Sequence, residues 1–330
     1  MRAHDDHWYD DPEFVESLPR WLRAYATYSR ALGDRNSRRV PGGSFVLRTL
    51  QSMIATFPGA HVTAVRARSD LQIAVDSTDL RLLEVFYESR SQNPEQSVLR
   101  TLLREGDSFI DVGANYGTFS LVAASIVGPS GRVVAIEPQP KLAGLIRKSA
   151  QLNGFANLEV ENLAAGSGRS DGRIYVPRRD TGRAGLHPAF SARTRYDTLD
   201  ARVERLDSAI DWRGLPGNLV MKIDVEGAER DVIRGASDLI DDRNPALIVE
   251  LNPWSAGAAG YTVPELLDAL KEKGYDCFVP VASFVGAGSE IVATDRQQNI
   301  VATHANTAVV SDRILTSYSR RIDPLSTCAE

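Results

Sequence analysis

The chain has 330 residues, 43% hydrophobic and 25% charged, which fits a globular protein with one large core and an accessory region rather than a disordered chain. Its formal net charge of −5 gives no general attraction to nucleic acid or to an anionic membrane, so neither is an expected partner. No apolar run approaches the roughly 18 residues that span a bilayer, the first residues lack a secretory core, and Cys277 and Cys328 build neither a disulfide framework nor a zinc site; a cytoplasmic protein is expected.

Residues 12–32 place Phe14, Leu18, Trp21, Leu22, Tyr25 and Tyr28 at helical spacing despite Pro19, which predicts an amphipathic packing helix. Ser44 is positioned to cap a second helix running to Phe57, which Pro58-Gly59 stops. Two short alternating runs, 61–68 and 71–75, are separated by Ser69-Asp70 and predict a two-stranded hairpin. Helices are predicted at 80–87 and 94–103, the latter with Pro94 in its first turn.

After Gly106-Asp107 the pattern becomes strand, helix, strand, helix. A strand from Ser108 runs into the turn Asp111-Val-Gly-Ala-Asn-Tyr-Gly117 and a packed helix over 119–127. Strands are predicted at 132–137, 158–163, 219–224 and 246–250, with helices at 141–153, 228–239 and 264–273; 275–281 and 307–311 are expected to close the sheet as an antiparallel pair. Such alternation predicts an α/β fold, a mainly parallel sheet with helices on both faces. Residues 169–205 interrupt it with nine arginines and read as a long inserted loop of the kind that is often functional.

Glycines at 113 and 117 let the main chain approach a ligand, and the helix start that follows offers free N–H groups. A dinucleotide fingerprint would need glycine at 115 and 118; Asn115 and Thr118 stand there, which disfavours a nicotinamide enzyme. Four predicted strands end alike, in Asp111, Glu137, Asp224 and Glu250, and in an open parallel sheet those ends converge on the ligand-binding edge. An acidic crevice repels a pyrophosphate and suits S-adenosylmethionine, which carries ribose hydroxyls, an ammonium and a sulfonium. Glu137, 26 positions after Asp111, is placed to accept both ribose hydroxyls.

The strings Asp111-Val-Gly-Ala-Asn-Tyr-Gly117, Ile136-Glu-Pro138, Leu152-Asn-Gly154 and Lys222-Ile-Asp-Val-Glu-Gly-Ala-Glu229, followed by Pro245 and Glu250, resemble the FkbM-type S-adenosylmethionine-dependent methyltransferases over roughly 107–275. Ser149 departs from the asparagine many relatives carry there. The resemblance implies a class I methyltransferase sheet, Rossmann-like and seven-stranded, and O-methylation of a hydroxyl on a sugar, glycan or small natural product. It implies that Asp111, Gly113, Asn115 and Gly117 surround the methionine part, that Glu137 holds the ribose and that the adenine edge lies near Asn162 to Ala164. The expected layout is an extension over 1–104 that covers the acceptor or forms a homodimer contact, a methyltransferase domain over 105–315 with the insertion at 169–205, and a tail over 316–330.

Methyl transfer to oxygen needs an aligned acceptor and a base. Asp224 is the first candidate, with cofactor binding or helix capping as equal alternatives; His187, in the insertion bordering the acceptor, is the second, and His304 ranks below it. Lys222, odd in a central strand, is expected to pair with Glu250 or Asp224, while Glu226 and Glu229 read as first-turn helix acids. Asp224, Glu250 and Asn252 offer oxygens that suit Mg2+, but the resemblance requires no metal and none is assigned. Asn252-Pro-Trp254 resembles an amino-methylation motif on the wrong strand and is read as a turn. The insertion's arginines, interspersed with acids, read as a solvated loop more readily than as a site for an anionic sugar. The alternative function is a non-catalytic S-adenosylmethionine or nucleoside binder whose N-terminal region recruits a partner.

Overall fold

The computed structural model describes residues 62–66, 71–76, 94–177, 183–188, 195–281, 292 and 294–304. The helices predicted at 12–32, 44–57 and 80–87, the strand at 307–311 and the tail lie outside them. The chain divides into two compact units, 1–91 and 92–330. In the first, β1 (Val62–Arg66) and β2 (Gln72–Asp76) pair antiparallel with Val62 opposite Asp76, the hairpin predicted from their alternation.

The second unit opens with α1 (Pro94–Leu102), which buries Val98, Leu99 and Leu102. Its core is a seven-stranded sheet built from β3 (Ser108–Val112), β4 (Arg132–Ile136), β5 (Leu158–Glu161), β9 (Leu219–Ile223), β10 (Ala246–Leu251), β11 (Tyr275–Pro280) and β12 (Gln298–His304), in the order β11-β12-β10-β9-β3-β4-β5. β3, β4, β5, β9 and β10 run parallel, and β12 lies antiparallel to both β10 and β11. This is the seven-stranded, mainly parallel, helix-covered sheet expected from the alternation of strands and helices. α2 (Thr118–Val127), α3 (Pro140–Asn153), α5 (Glu229–Gly235), α6 (Ser237–Arg243) and α8 (Val263–Glu272) flank it.

Strand alternation divides the chemistry between the two faces. Ile110, Val112, Val134, Ile136, Met221, Ile223, Leu247 and Val249 enter one buried cluster with Val232, Leu239 and Ile240. The residues between them point the other way, so Asp111, Lys222 and Glu250 share the opposite face. There α2 covers the sheet, and the Lys222 ammonium sits 4.9 Å from the Phe119 ring centroid.

Four sequence expectations need correction. The insertion is a ribbon, not a loop: β6 (Ala164–Ala165), β7 (Ser170–Pro177) and β8 (Tyr196–Glu204) form a second sheet in the order β6-β8-β7, with Ala164, Ile174, Val176 and Val203 as its own small core. Its many charged residues hid a period-two pattern. The helix expected over 228–239 is two, divided at Ala236, because Asp207 at the start of α4 (Leu206–Ala209) accepts the N–H groups of Asp238 and Leu239 and caps α6 from outside. The partner of β11 is β12, nine residues before the expected strand; its polar ends, Gln298 and His304, disguised the buried run between. Asn252 begins a helix rather than a turn: its Oδ1 accepts from the N–H groups of Trp254 and Ser255, opening α7 (Pro253–Ala258) with Pro253 in the first turn.

Candidate active site

Asp111 stands opposite Lys222 in the register of β3 and β9. Its Oδ2 accepts from Ser120 Oγ at 2.6 Å, while Oδ1 is buried without a hydrogen-bond partner among the described residues. Burial raises its pKa, and the Lys222 charge opposes the rise. Gly113 has φ +84°, and a Cβ there would meet the Asp224 carbonyl oxygen at 1.9 Å. Only glycine permits that contact, which sets the turn directly against the end of β9. Gly117 also has positive φ and a Cβ on it would crowd Ile146. Asn115 is left-handed at φ +54° and aims its N–H at Glu137 Oε2, 2.8 Å away.

Glu137 follows β4 and is 3% exposed. Its Oε1 accepts from the Gln139 N–H at 2.8 Å, so each carboxylate oxygen takes one backbone N–H. Burial pushes its pKa up to about 7 against the pull of those two bonds. Asn162 supports this loop, with Nδ2 donating to the carbonyls of Glu137 and Pro138 at 2.8 and 3.1 Å. Ala164 is buried in β6, paired with Val203. Asn162 and Ala164, expected near the adenine edge, thus flank Leu163, the first tied to the Glu137 loop and the second paired in the ribbon.

The end of β9 carries most of the remaining charge. Lys222, 4% exposed, reaches Asp224 with Nζ 2.7 Å from Oδ2; of the two expected partners, this is the one it meets. Glu226 follows at φ +52°, and one carboxylate oxygen each from Asp224, Glu226 and Glu250 lie within 4.8 Å of one another. Asn252 Nδ2 lies 3.5 Å from Glu226 Oε2. Glu250 is 6% exposed, and its Oε1 accepts from Gln297 Nε2 while Oε2 is buried without a partner among the described residues. Burial, reinforced by the charges of Asp224, Glu226 and Glu229, raises the Glu250 pKa well above the carboxylate range.

Glu229 is not a simple first-turn acid. It is buried, accepts from the N–H groups of Val225 and Gly227, and takes the Tyr261 hydroxyl at 2.6 Å. It therefore clamps the turn that presents Asp224 and Glu226. His187 is half-buried in the stretch next to Gly185, which packs on Val225 and Glu226, but among the described residues no hydrogen bond or ion pair joins it to Asp224. His304 packs edge-on against Tyr275, at the far end of β12 from Gln298. The ribbon's arginines meet local acids: Arg173 with Asp200, and Arg169 and Arg202 with Glu204. Sequence reasoning missed Glu226, Tyr261 and Gln297 as site residues. Glu226 directly before Gly227 was the one local sign, a side chain carried on a tight turn; Tyr261 and Gln297 come from distant segments and left none.

Among the described residues no helix is long and apolar enough to cross a membrane. In sequence, the chain is 30% identical over 199 residues to AMB antimetabolite synthetase AmbE of Pseudomonas aeruginosa, covering 51% of this chain but 9% of that protein. It is 28% identical to 31-O-demethyl-FK506 methyltransferase FkbM of Streptomyces tacrolimicus, covering 49% of this chain and 71% of that one. It is 27% identical to hexuronic acid methyltransferase AglP of Haloferax volcanii, covering 57% and 74% respectively. The methyltransferase FkbM domain model matches residues 111–277, from the acid of the β3 turn to β11 and just over half of the chain. The chain belongs to the FkbM methyltransferase family.

Proposed function

We propose that this chain transfers the methyl group of S-adenosylmethionine to a hydroxyl oxygen of a sugar, glycan or small natural product. One observation carries the reading: Asp111, Glu137, Asp224 and Glu250 gather at the C-terminal ends of four adjacent parallel strands, beside a turn whose backbone approaches as closely as glycine allows. That edge favours a cationic nucleoside over a pyrophosphate. The relatives named for the demethyl-FK506 and hexuronic acid reactions support an oxygen-rich acceptor.

Glu137, oriented by the N–H groups of Asn115 and Gln139, accepts the ribose hydroxyls. The turn from Asp111 to Gly117 holds the methionine part. The acceptor oxygen then attacks the methyl carbon in line, the O–C bond forms as the S–C bond breaks, and S-adenosylhomocysteine leaves with the sulfur electron pair. Asp224, whose Oδ2 is held by Lys222, takes the acceptor proton on Oδ1. Holding the two reactants in line supplies up to roughly 7–11 kcal/mol, whereas a positioned base supplies about 10²- to 10⁴-fold in rate, so alignment is the larger contribution.

The test offers the purified chain S-adenosylmethionine with a panel of hydroxylated glycans, uronic acids and polyketide alcohols, and follows S-adenosylhomocysteine by mass spectrometry. Acceptor-dependent formation supports the reading. Tight cofactor binding with no turnover across the panel overturns it in favour of a binding protein.

A further inference from the structure

The turn after β9 is built with unusual care for a segment that would otherwise only start a helix. Gly227 has φ +106°, and a Cβ there would meet the Ser255 carbonyl oxygen at 2.7 Å, so the turn is seated on α7. Glu229 holds the N–H groups of Val225 and Gly227 from below. The product of this clamp is the position of Glu226, left-handed at φ +52°, with its carboxylate beside those of Asp224 and Glu250.

Like charges so placed repel. Lys222 brings one positive charge, bound to Asp224 Oδ2. A separate sign comes from Glu250. Its side chain is more than nine-tenths buried, one oxygen is used by Gln297, and the other, Oε2, has no partner among the described residues. A buried carboxylate oxygen left without a donor is unfavourable, a cost that a ligand at this spot would recover.

We infer that Asp224, Glu226 and Glu250 together bind one hard divalent cation, of the Mg2+ or Mn2+ type. Oxygens around such an ion, each at about 2.0–2.6 Å, lie roughly 3–5 Å from one another, and the three carboxylates meet that condition at 4.8 Å or less. The donor set is all oxygen, without cysteine or histidine, which selects hard ions over zinc or copper. Asn252 is not a ligand. Its Oδ1 takes the N–H groups of Trp254 and Ser255, which fixes the amide so that Nδ2 faces Glu226; it orients a ligand instead. Asp224 and Glu226 are partly exposed and give the ion its path from solvent, with Glu250 as the buried floor. Three positions of an octahedron stay open for water or an acceptor hydroxyl. The site itself does not depend on the methyl-transfer reading, but its role does: an ion there would bind the acceptor oxygen and lower the cost of its deprotonation, with Asp224 then serving as a ligand in place of the base assigned to it above.

Chelator-treated, full-length protein titrated with Mn2+ and followed by electron paramagnetic resonance tests the site directly, with S-adenosylhomocysteine formation read in parallel. The expected result is saturable binding of one Mn2+ per chain, displaced by Mg2+, and about ten- to hundredfold weaker in Glu226→Gln and Glu250→Gln. Glu226 lies on a partly exposed turn, so its variant keeps the test valid if the Glu250 variant fails to fold. No saturable binding, or equal binding by wild type and Glu226→Gln, overturns the inference. Turnover without ion binding sinks the ion and leaves methyl transfer standing; ion binding without turnover does the reverse.

Discussion

Lys222 Nζ and Asp224 Oδ2 lie 2.7 Å apart at the end of the central strand β9, with the ammonium also lying over the Phe119 ring. Its side chain is 5% exposed and that of Asp224 is 32% exposed, so the pair is sealed on the lysine side and open on the other. Removing the lysine strands Asp224 and the buried Asp111 without their cation. Lys222→Met should therefore cost about 3 kcal/mol, the low end for a broken buried pair because Asp224 still reaches water. Urea unfolding measures it, and adding Asp224→Asn to the Met variant should restore part of the loss. A Met variant as stable as wild type would show that the ammonium does not hold these acids.

Glu137 predicts a pH dependence with a definite sign. Unfolded, its carboxyl titrates near 4.5; folded, burial moves it to about 7. Between those values the folded chain keeps a proton that the unfolded chain has lost, so the associated stability is full below about pH 4.5 and is lost as pH rises through about 7. The gap is worth about 3 kcal/mol. Asp111, Glu229 and Glu250 are raised by burial as well and act in the same direction. Denaturant titrations from pH 5 to 8 should show cofactor-free protein weakening toward pH 8, with Glu137→Gln flattening the slope by about that amount. Cofactor affinity should run the opposite way, rising with pH as the ionised carboxylate becomes available to the ribose, and Glu137→Ala should lose it. Unchanged affinity in Glu137→Ala would remove the ribose assignment.

The parts of this architecture legible in the sequence are those set by local pattern. Short apolar strands ending in Asp111, Glu137, Asp224 and Glu250 located the site edge, because strand direction in a parallel sheet brings those ends together without further information. Lys222, misplaced by apolar patterning alone, signalled an ion pair that the structure contains. What stayed hidden depends on groups far apart in the chain. The break at Ala236 is made by Asp207, and the setting of Glu226 by Glu229, Tyr261 and Ser255. The ribbon was obscured for another reason: β8 is largely exposed, so its alternation is written in charged and polar residues rather than in apolar ones.

Asp224 carries the kinetic prediction. Asp224→Asn keeps the side-chain size and one oxygen but cannot take a proton, so kcat should fall by about 10²- to 10⁴-fold while cofactor binding by calorimetry changes little. Full turnover in this variant would pass the proton to another group, with His187 the next candidate because its stretch packs against Val225 and Glu226.

Tyr261 tests whether the clamp beneath the β9 turn matters to the residues above it. Its hydroxyl donates to Glu229 Oε2 at 2.6 Å, and both groups are buried. Burial and then the Glu229 charge raise the phenol pKa, so the hydroxyl keeps its proton and remains a donor over the working pH range. Tyr261→Phe preserves the ring and deletes only that bond to a buried carboxylate, a change that should cost about 1.5–3 kcal/mol. The loss should not spread evenly. Glu229 also accepts the N–H groups of Val225 and Gly227, so hydrogen exchange at those two amides should speed up more than at Val220 or Ile223 within the strand. Turnover should drop with the loosened turn, because Asp224 and Glu226 are carried on it. If the Phe variant exchanges like wild type at Val225 and Gly227, Glu229 holds the turn without help, and Tyr261 only fills space beneath it.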